Sequence, residues 1–162
     1  MNKRVFAIAA SVVLLTLWTS ASAYAQSDSP FCNNRLIKGN YGFTIEGTKL
    51  AGLGPVGPMV GVAMTEFDGN TPGSLTQIDT VVIDGQVGAD FTHTPANGTY
   101  TVNPDCTGTF TINFTDGRPT VKVNFVVVEN GSEIDTVVVG VGPNQSQGVL
   151  ATRSIGKRRF FW

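Results

Sequence analysis

The chain has 162 residues, of which 41% are hydrophobic and 14% charged, and its formal net charge is −1. Residues 26–152 contain 5 Lys and Arg against 12 Asp and Glu, which gives this part a formal charge of −7. Such an acidic body argues against binding to phosphate backbones, so we expect no nucleic-acid partner. The length that remains after residue 25 suits one domain with one core.

The first 25 residues have the parts of a signal peptide. Lys3 and Arg4 form a positive start, "VFAIAASVVLLTLW" is an apolar segment, and Ala23-Tyr24-Ala25 has the form of a cleavage site. The apolar segment is shorter than the ~20 residues that a membrane-spanning helix needs. We predict cleavage after Ala25 and a protein that is secreted or periplasmic.

The mature chain divides into three parts. Residues 26–31, "QSDSPF", are predicted to be a disordered leader, and residues 32–155 to form one β-domain. Residues 156–162, "GKRRFFW", form a basic and aromatic C-terminal tail. A frayed end is the favoured interpretation of this tail, and peripheral contact with an anionic membrane surface or a partner is the alternative.

The β-domain shows strand alternation from its start to its end. In "NYGFTIEG", Tyr41, Phe43 and Ile45 share one face and Thr44 and Glu46 share the other. Asp-Gly and Asn-Gly dipeptides break the chain at the intervals typical of hairpins. The segments that follow with the same texture are "MVGVAMTEF", "SLTQIDTVVI", "QVGADFTHT", "GTYTV", "GTFTINF", "TVKVNFVVV", "SEIDTVVVGV" and "QGVLATRSI".

These eight or nine strands leave no room for crossover helices. The fold class is therefore predicted as all-β, a single antiparallel meander closed into a small barrel of about eight strands. The interior of a barrel of this size is filled by side chains or holds one small ligand. A β-sandwich is the alternative architecture.

The chain contains two cysteines, Cys32 and Cys106, 74 positions apart. Cysteines of an exported chain usually form disulfides, and this pair is the one intramolecular bond the sequence allows. Cys106 lies in the turn of the hairpin formed by residues 98–114, where it does not interrupt a strand. Two free thiols or an intermolecular bridge are the alternatives.

A short repeated sequence occurs in two of the predicted strands. Residues 77–83, "QIDTVVI", and 133–139, "EIDTVVV", share five consecutive residues that include Asp79 and Asp135. The favoured interpretation is that similar strands use similar β-formers. A pair of functional carboxylates at equivalent places is the alternative.

The segments "CNNRLIKGNYGF", "FDGN", "GTYTVNPDCTGTFTI" and "GSEID" resemble a group of uncharacterised bacterial secreted proteins. Through them the chain resembles the barrel domain of the allene oxide cyclase and lipocalin-like (calycin) superfamily. The resemblance implies a barrel over most of residues 32–152. Because its motifs are turns and strand alternation, it transfers no catalytic residue.

The sequence leaves the catalytic residues unknown. The single histidine, His93, lies near Asp90, but no Gly-x-Ser-x-Gly sequence accompanies it, so a surface residue without a catalytic role is favoured. A structural zinc site needs four ligands, more than the Cys and His content supplies, and no EF-hand spacing is present. We therefore expect no metal and no cofactor.

Ligand binding is the remaining candidate activity. Glu46 points into the barrel only if Tyr41 does not, and an exposed Glu46 is favoured. The irregular segment 47–58, "GTKLAGLGPVGP", carries aliphatic side chains that either contact an apolar ligand at one end of the barrel or seal the core. The candidate ligand-binding residues are Glu46, Leu50, Leu53, Val56, Tyr41 and Tyr100.

The favoured function is an exported, non-enzymatic small β-barrel that binds a small apolar ligand or acts at the cell envelope. An isomerase or cyclase that uses the barrel cavity, as in the allene oxide cyclases, is the first alternative. A small outer-membrane β-barrel is the second. The sequence favours the first function because no cluster of residues supplies an acid, a base and a nucleophile.

Overall fold

The structure, a computed structural model, describes residues 31–144 and 149–159. The predicted signal peptide, residues 26–30 of the leader and residues 160–162 of the tail lie outside this part. Two short 3₁₀ segments occur, Asn34–Ile37 and Glu129–Gly131, and no helix in the described ranges is long and apolar enough to cross a membrane. The strands are β1 (Gly39–Lys49), β2 (Gly57–Phe67), β3 (Gly73–Ile83), β4 (Gln86–Ala89), β5 (Ala96–Val102), β6 (Thr107–Asn113), β7 (Val121–Val128), β8 (Glu133–Val141) and β9 (Leu150–Arg159).

Eight strands form a closed antiparallel barrel, which confirms the predicted fold class over the sandwich. β1 closes the sheet because it pairs with β2 on one edge and with β9 on the other. β3 pairs with β2 on one edge, and its other edge is shared between β5 and the short extra strand β4. We call the end that carries the β1–β2, β3–β4, β4–β5, β6–β7 and β8–β9 connections the upper end.

Aromatic side chains fill the lower half of the barrel. The ring of Phe67 lies 5.0 Å from that of Tyr100, 5.5 Å from that of Tyr41 and 6.1 Å from that of Phe110, measured between centroids. Phe110 continues the cluster to Phe125 at 5.6 Å. These edge-to-face and tilted contacts, together with the buried area, make this cluster the main apolar core.

Inward-facing glycines make room for the aromatic rings. Each lies directly opposite an aromatic residue on the neighbouring strand, and a Cβ atom added to it would overlap that ring. The barrel interior is too narrow for two full side chains at these levels. The pairs are Gly73 with Tyr100, Gly108 with Phe125, and Gly156 with Phe43.

The lower end is closed by covalent and polar links. The predicted disulfide between Cys32 and Cys106 is present, with the two Cα atoms 5.0 Å apart, and it ties the start of the domain to the β5–β6 turn. Arg158 donates from Nε to the hydroxyl of Tyr41 at 3.0 Å and from Nη2 to the carbonyl of Leu36. The basic residues of the "KRR" sequence thus belong to β9, and one of them helps to close the core.

We expect Gly156→Ala to destabilise the protein by about 1–3 kcal/mol, the usual effect of adding a methyl group to a filled core. Its Cβ would overlap the ring of Phe43, whereas a Cβ at Gly88 would meet its nearest atom at 3.5 Å. Gly88→Ala is therefore the matched control and should stay within about 0.5 kcal/mol of the parent protein. Urea denaturation followed by fluorescence measures both, and equal effects would contradict the pairing of glycines with rings.

Candidate functional site

The two tyrosines among the predicted ligand-binding residues lie in the closed lower half. The hydroxyl of Tyr41 donates to the carbonyl of Gly131 and accepts from Arg158. The hydroxyl of Tyr100 accepts from the backbone N–H of Gly69 at 2.8 Å and donates to Asp68 Oδ1 at 3.2 Å. Both residues link the core to the polar lower end, far from the other predicted ligand-binding residues.

The upper half of the interior contains a buried ion pair. Asp79 on β3 points into the barrel and its side chain is 4% exposed. Arg118, in the β6–β7 connection, forms two parallel hydrogen bonds to it, from Nη1 at 2.8 Å and from Nη2 at 2.9 Å. This bidentate geometry is the strongest arrangement for a guanidinium and a carboxylate.

Further groups surround the guanidinium of Arg118. Its Nε donates to Asp116 Oδ2 at 2.8 Å, and its Cζ lies 3.8 Å from the centre of the Phe114 ring. Burial alone would lower the pKa of Arg118, but its hydrogen bonds and its attraction to Asp79 and Asp116 outweigh burial and raise it. Burial likewise opposes the shift at Asp116, whose pKa is lowered overall by hydrogen bonds and charge from Arg118. The guanidinium is thus held charged at the upper end.

His93, in the β4–β5 connection, completes the cluster. Its side chain is 10% exposed, more buried than the sequence indicated. Its Nδ1 contacts the carbonyl of Asp90, while Nε2 lies 3.0 Å from Asp79 Oδ1 and 3.1 Å from Arg118 Nη2. An unprotonated Nε2 accepts from Arg118 and a protonated one donates to Asp79, so either state of the ring finds a partner.

The upper ion cluster, Asp79, His93, Asp116 and Arg118, closes one side of the upper end. It ties β3 to the β4–β5 and β6–β7 connections, and each nitrogen of its guanidinium already has a partner. The geometry fits a device that holds loops together. Within the described ranges, His, Cys, Asp and Glu form no group of three or more that could hold a metal ion.

The repeated sequence "IDTVV" does not place Asp79 and Asp135 in equivalent surroundings. In β3 the buried positions include Asp79 and leave Ile78 on the outer face. In β8 the buried positions include Ile134 and Thr136, so Asp135 lies on the outer face. A shift of one residue relative to the barrel wall exchanges the two faces of a strand, and the same five residues therefore serve opposite purposes.

A lateral cleft opens on the other side of the upper end. The pairing of β8 with β9 ends at Val137 and Arg153, while β9 stays paired with β1 up to Leu150. The cause is a bulge, since β8 carries Val139 as an extra residue opposite β7 and turns away from β9 there. The cleft has a volume of about 540 Å³ and is lined by Glu46, Gly47, Val137, Val138, Ala151, Thr152 and Arg153.

One of the predicted ligand-binding residues, Glu46, lines this cleft, and three others lie in a connection at the same end of the barrel. Glu46 lies on the outer face of β1, and its carboxylate pairs with Arg153 at 3.2 Å. Leu50, Leu53 and Val56 belong to the β1–β2 connection, and all three are exposed, Leu53 to 97%. The backbone N–H of Leu50 bonds the carbonyl of Val149, which fixes the loop beside the start of β9. Their role in ligand binding stays a prediction.

We expect Arg118→Met to destabilise the protein by about 3–5 kcal/mol, because it leaves the buried carboxylate of Asp79 without its partner. The double variant Arg118→Met, Asp79→Leu removes both charges and should recover most of this loss. Arg153→Met is the matched control, since it breaks an exposed pair and should cost less than about 1 kcal/mol. Urea denaturation measures these three variants and the single variant Asp79→Leu, and additive effects of the Arg118 and Asp79 changes would refute a buried pair.

A second prediction concerns alkaline pH. Burial raises the pKa of Tyr100 to about 12, with the Asp68 carboxylate adding to this effect and the N–H of Gly69 opposing it. Between the ordinary tyrosine pKa of about 10 and this value, the unfolded chain loses a proton that the folded protein keeps. Stability should therefore be complete below about pH 10 and fall as the pH rises toward 12.

Tyr100→Phe should flatten this dependence, although it also removes two hydrogen bonds at neutral pH. Denaturation with urea at about pH 8 and about pH 11 measures the slope for the parent protein and the variant. Burial also raises the pKa of Tyr41, so the variant Tyr41→Phe serves as a comparison. A parent protein equally stable at both pH values would contradict the assignment.

Comparison of the sequence with protein-family models, with curated proteins and with solved structures finds no match. The closed antiparallel barrel is consistent with a lipocalin-like barrel in general. Membership of the allene oxide cyclase and lipocalin-like superfamily stays a prediction from the sequence motifs.

Proposed function

We propose that this protein is an exported, non-enzymatic barrel that binds a small apolar ligand at its upper end, in the lateral cleft. The observation that carries the proposal is the parting of β8 and β9 at the end where Leu50, Leu53 and Val56 are exposed. Large aliphatic side chains exposed at the same end as a depression are typical of a surface that binds an apolar partner.

The polar groups at the cleft favour a ligand with an acidic end. Arg153 lies at the rim with its side chain 72% exposed, and its one ion pair in the described part of the chain is the exposed contact with Glu46. Such a pair is weak, so a ligand carboxylate can replace Glu46 at little cost. A fatty acid combines this carboxylate with a chain that can cover the aliphatic side chains.

The other elements of the proposal have separate supports. The disulfide indicates an oxidising compartment, in agreement with the signal-peptide sequence of residues 1–25. A non-enzymatic role is supported by the upper ion cluster, whose charged groups are engaged with one another. Glu46, Lys122 and Arg153 on the outer face are costly in lipid, which favours this proposal over an outer-membrane barrel.

We expect Leu53→Asp to weaken binding of a fluorescent long-chain fatty acid by tenfold or more. The side chain of Leu53 is 97% exposed, so the change adds a charge to the β1–β2 connection, at the end where the cleft opens, and leaves the core intact. A carboxylate there loses apolar contact and repels the acid group of the ligand. Fluorescence titration measures the affinity.

Val87→Asp is the matched control. Val87 on β4 is 66% exposed and lies on the far side of the upper end, so the same change there should leave the affinity unaltered. Equal losses for both variants would mean that charge alone, and not the cleft, governs binding. No measurable binding to the parent protein would refute the proposed function.

A further inference from the structure

A second depression, distinct from the lateral cleft, runs along the outer face of β6–β9. It has a volume of about 650 Å³, within the range of small-ligand sites. Its apolar floor consists of Val126 on β7, Val137 on β8 and Ile155 on β9, all of which are exposed. We call this depression the outer groove. Asn124 and Thr109 supply polar groups at one edge.

Asp135 lies in the middle of the outer groove. Its partners across the strands are Val126 on one side and Ile155 on the other, so its carboxylate stands between two aliphatic side chains. Its Oδ1 is buried and has no hydrogen-bond partner among the residues that the structure describes. A buried carboxylate oxygen without a donor costs free energy, which a bound donor would recover.

The neighbouring cations are already paired with other carboxylates. On β9, Lys157 lies 3.2 Å from Glu133 and Arg153 lies 3.2 Å from Glu46. Each of these pairs is neutral, but the exposed pair of Arg153 with Glu46 is weak, and Arg153 also lines the groove. Asp135 is the one carboxylate in the lining of the groove, and its Oδ1 has no partner in the described part of the chain. A cationic ligand is therefore complementary to it, and an anionic one is not.

We infer that the outer groove binds a small organic cation, with an ammonium group on the carboxylate of Asp135 and an apolar body over Val126, Val137 and Ile155. The ammonium pairs with the carboxylate once the Asp135 side chain turns its buried Oδ1 into the groove, and the three aliphatic side chains lose water against the body of the ligand. The inference goes beyond the proposed function, because the lateral cleft is expected to take an acid and this groove an amine.

Isothermal titration calorimetry with hexylammonium chloride tests the inference, with hexanol as the neutral probe of the same apolar length. We expect hexylammonium to bind at least tenfold more tightly than hexanol, and Asp135→Asn to abolish the difference. Glu133→Gln, two residues away on the same face, is the matched control and should retain it. Equal affinities of the two probes, or full affinity in Asp135→Asn, would overturn the inference.

Two further measurements keep the test decisive. The thermal midpoint of Asp135→Asn should not fall below that of the parent protein, because the change removes the charge of a partly buried carboxylate whose Oδ1 has no donor in the described part of the chain. If this variant does not fold, NMR shifts of the parent protein provide the test: hexylammonium must move the amide signals of Val126, Val137 and Ile155 more than hexanol does. A concentration-dependent dimer that Asp135→Asn dissociates would assign the groove to a second copy of the chain and overturn the inference.

Discussion

The position of β1 between β2 and β9 is the constraint on which the rest of the structure depends. This strand bonds both neighbours, and so converts an open meander into a wall with an inside and an outside. Because β9 is held along its whole length by β1, it cannot follow β8 where the bulge at Val139 turns that strand away. The lateral cleft forms because β9 stays paired with β1 where its other partner, β8, moves away.

The closed wall also decides which residues must be small. At the levels of Phe43, Tyr100 and Phe125, the opposing position on the next strand is a glycine. A barrel of eight strands has little interior volume, so each large ring requires an empty place beside it. The glycines of these strands therefore serve packing, and their places follow from the register.

The general fold could be predicted from the sequence because its signals are local. Alternation at Tyr41, Phe43 and Ile45 shows which face is buried, and the Asp-Gly and Asn-Gly turns separate the strands. The disulfide between Cys32 and Cys106 could be predicted from the signal-peptide sequence and from the presence of two cysteines in the chain. Each of these inferences uses residues that lie near one another in the chain or have no alternative partner.

The upper ion cluster could not be predicted, because its members come from β3 and from two separate connections. Asp79 and Asp135 occur in the same five-residue sequence, and nothing local distinguishes the one that faces inward. Which of the two aspartates faces inward is set by the register of its strand with the neighbouring strands, and this register is a property of the whole barrel. Arg118 follows a turn dipeptide and looks like an ordinary loop cation until Asp79 is placed opposite it.

Because they lie on opposite faces of the barrel wall, Asp79 and Asp135 have different surroundings and different partners. Asp79 is buried in a narrow interior, where an unpaired charge would be very costly, and the β6–β7 connection brings it a guanidinium. Asp135 lies on the outer wall between β7 and β9, and its Oδ1 finds no donor in the described part of the chain. The proposed ammonium ligand would supply that donor. The lateral cleft and the outer groove meet at Val137 and Arg153, where the pairing of β8 and β9 ends. Both surfaces therefore lie on the side of the barrel where the bulge at Val139 shifts the register of β8.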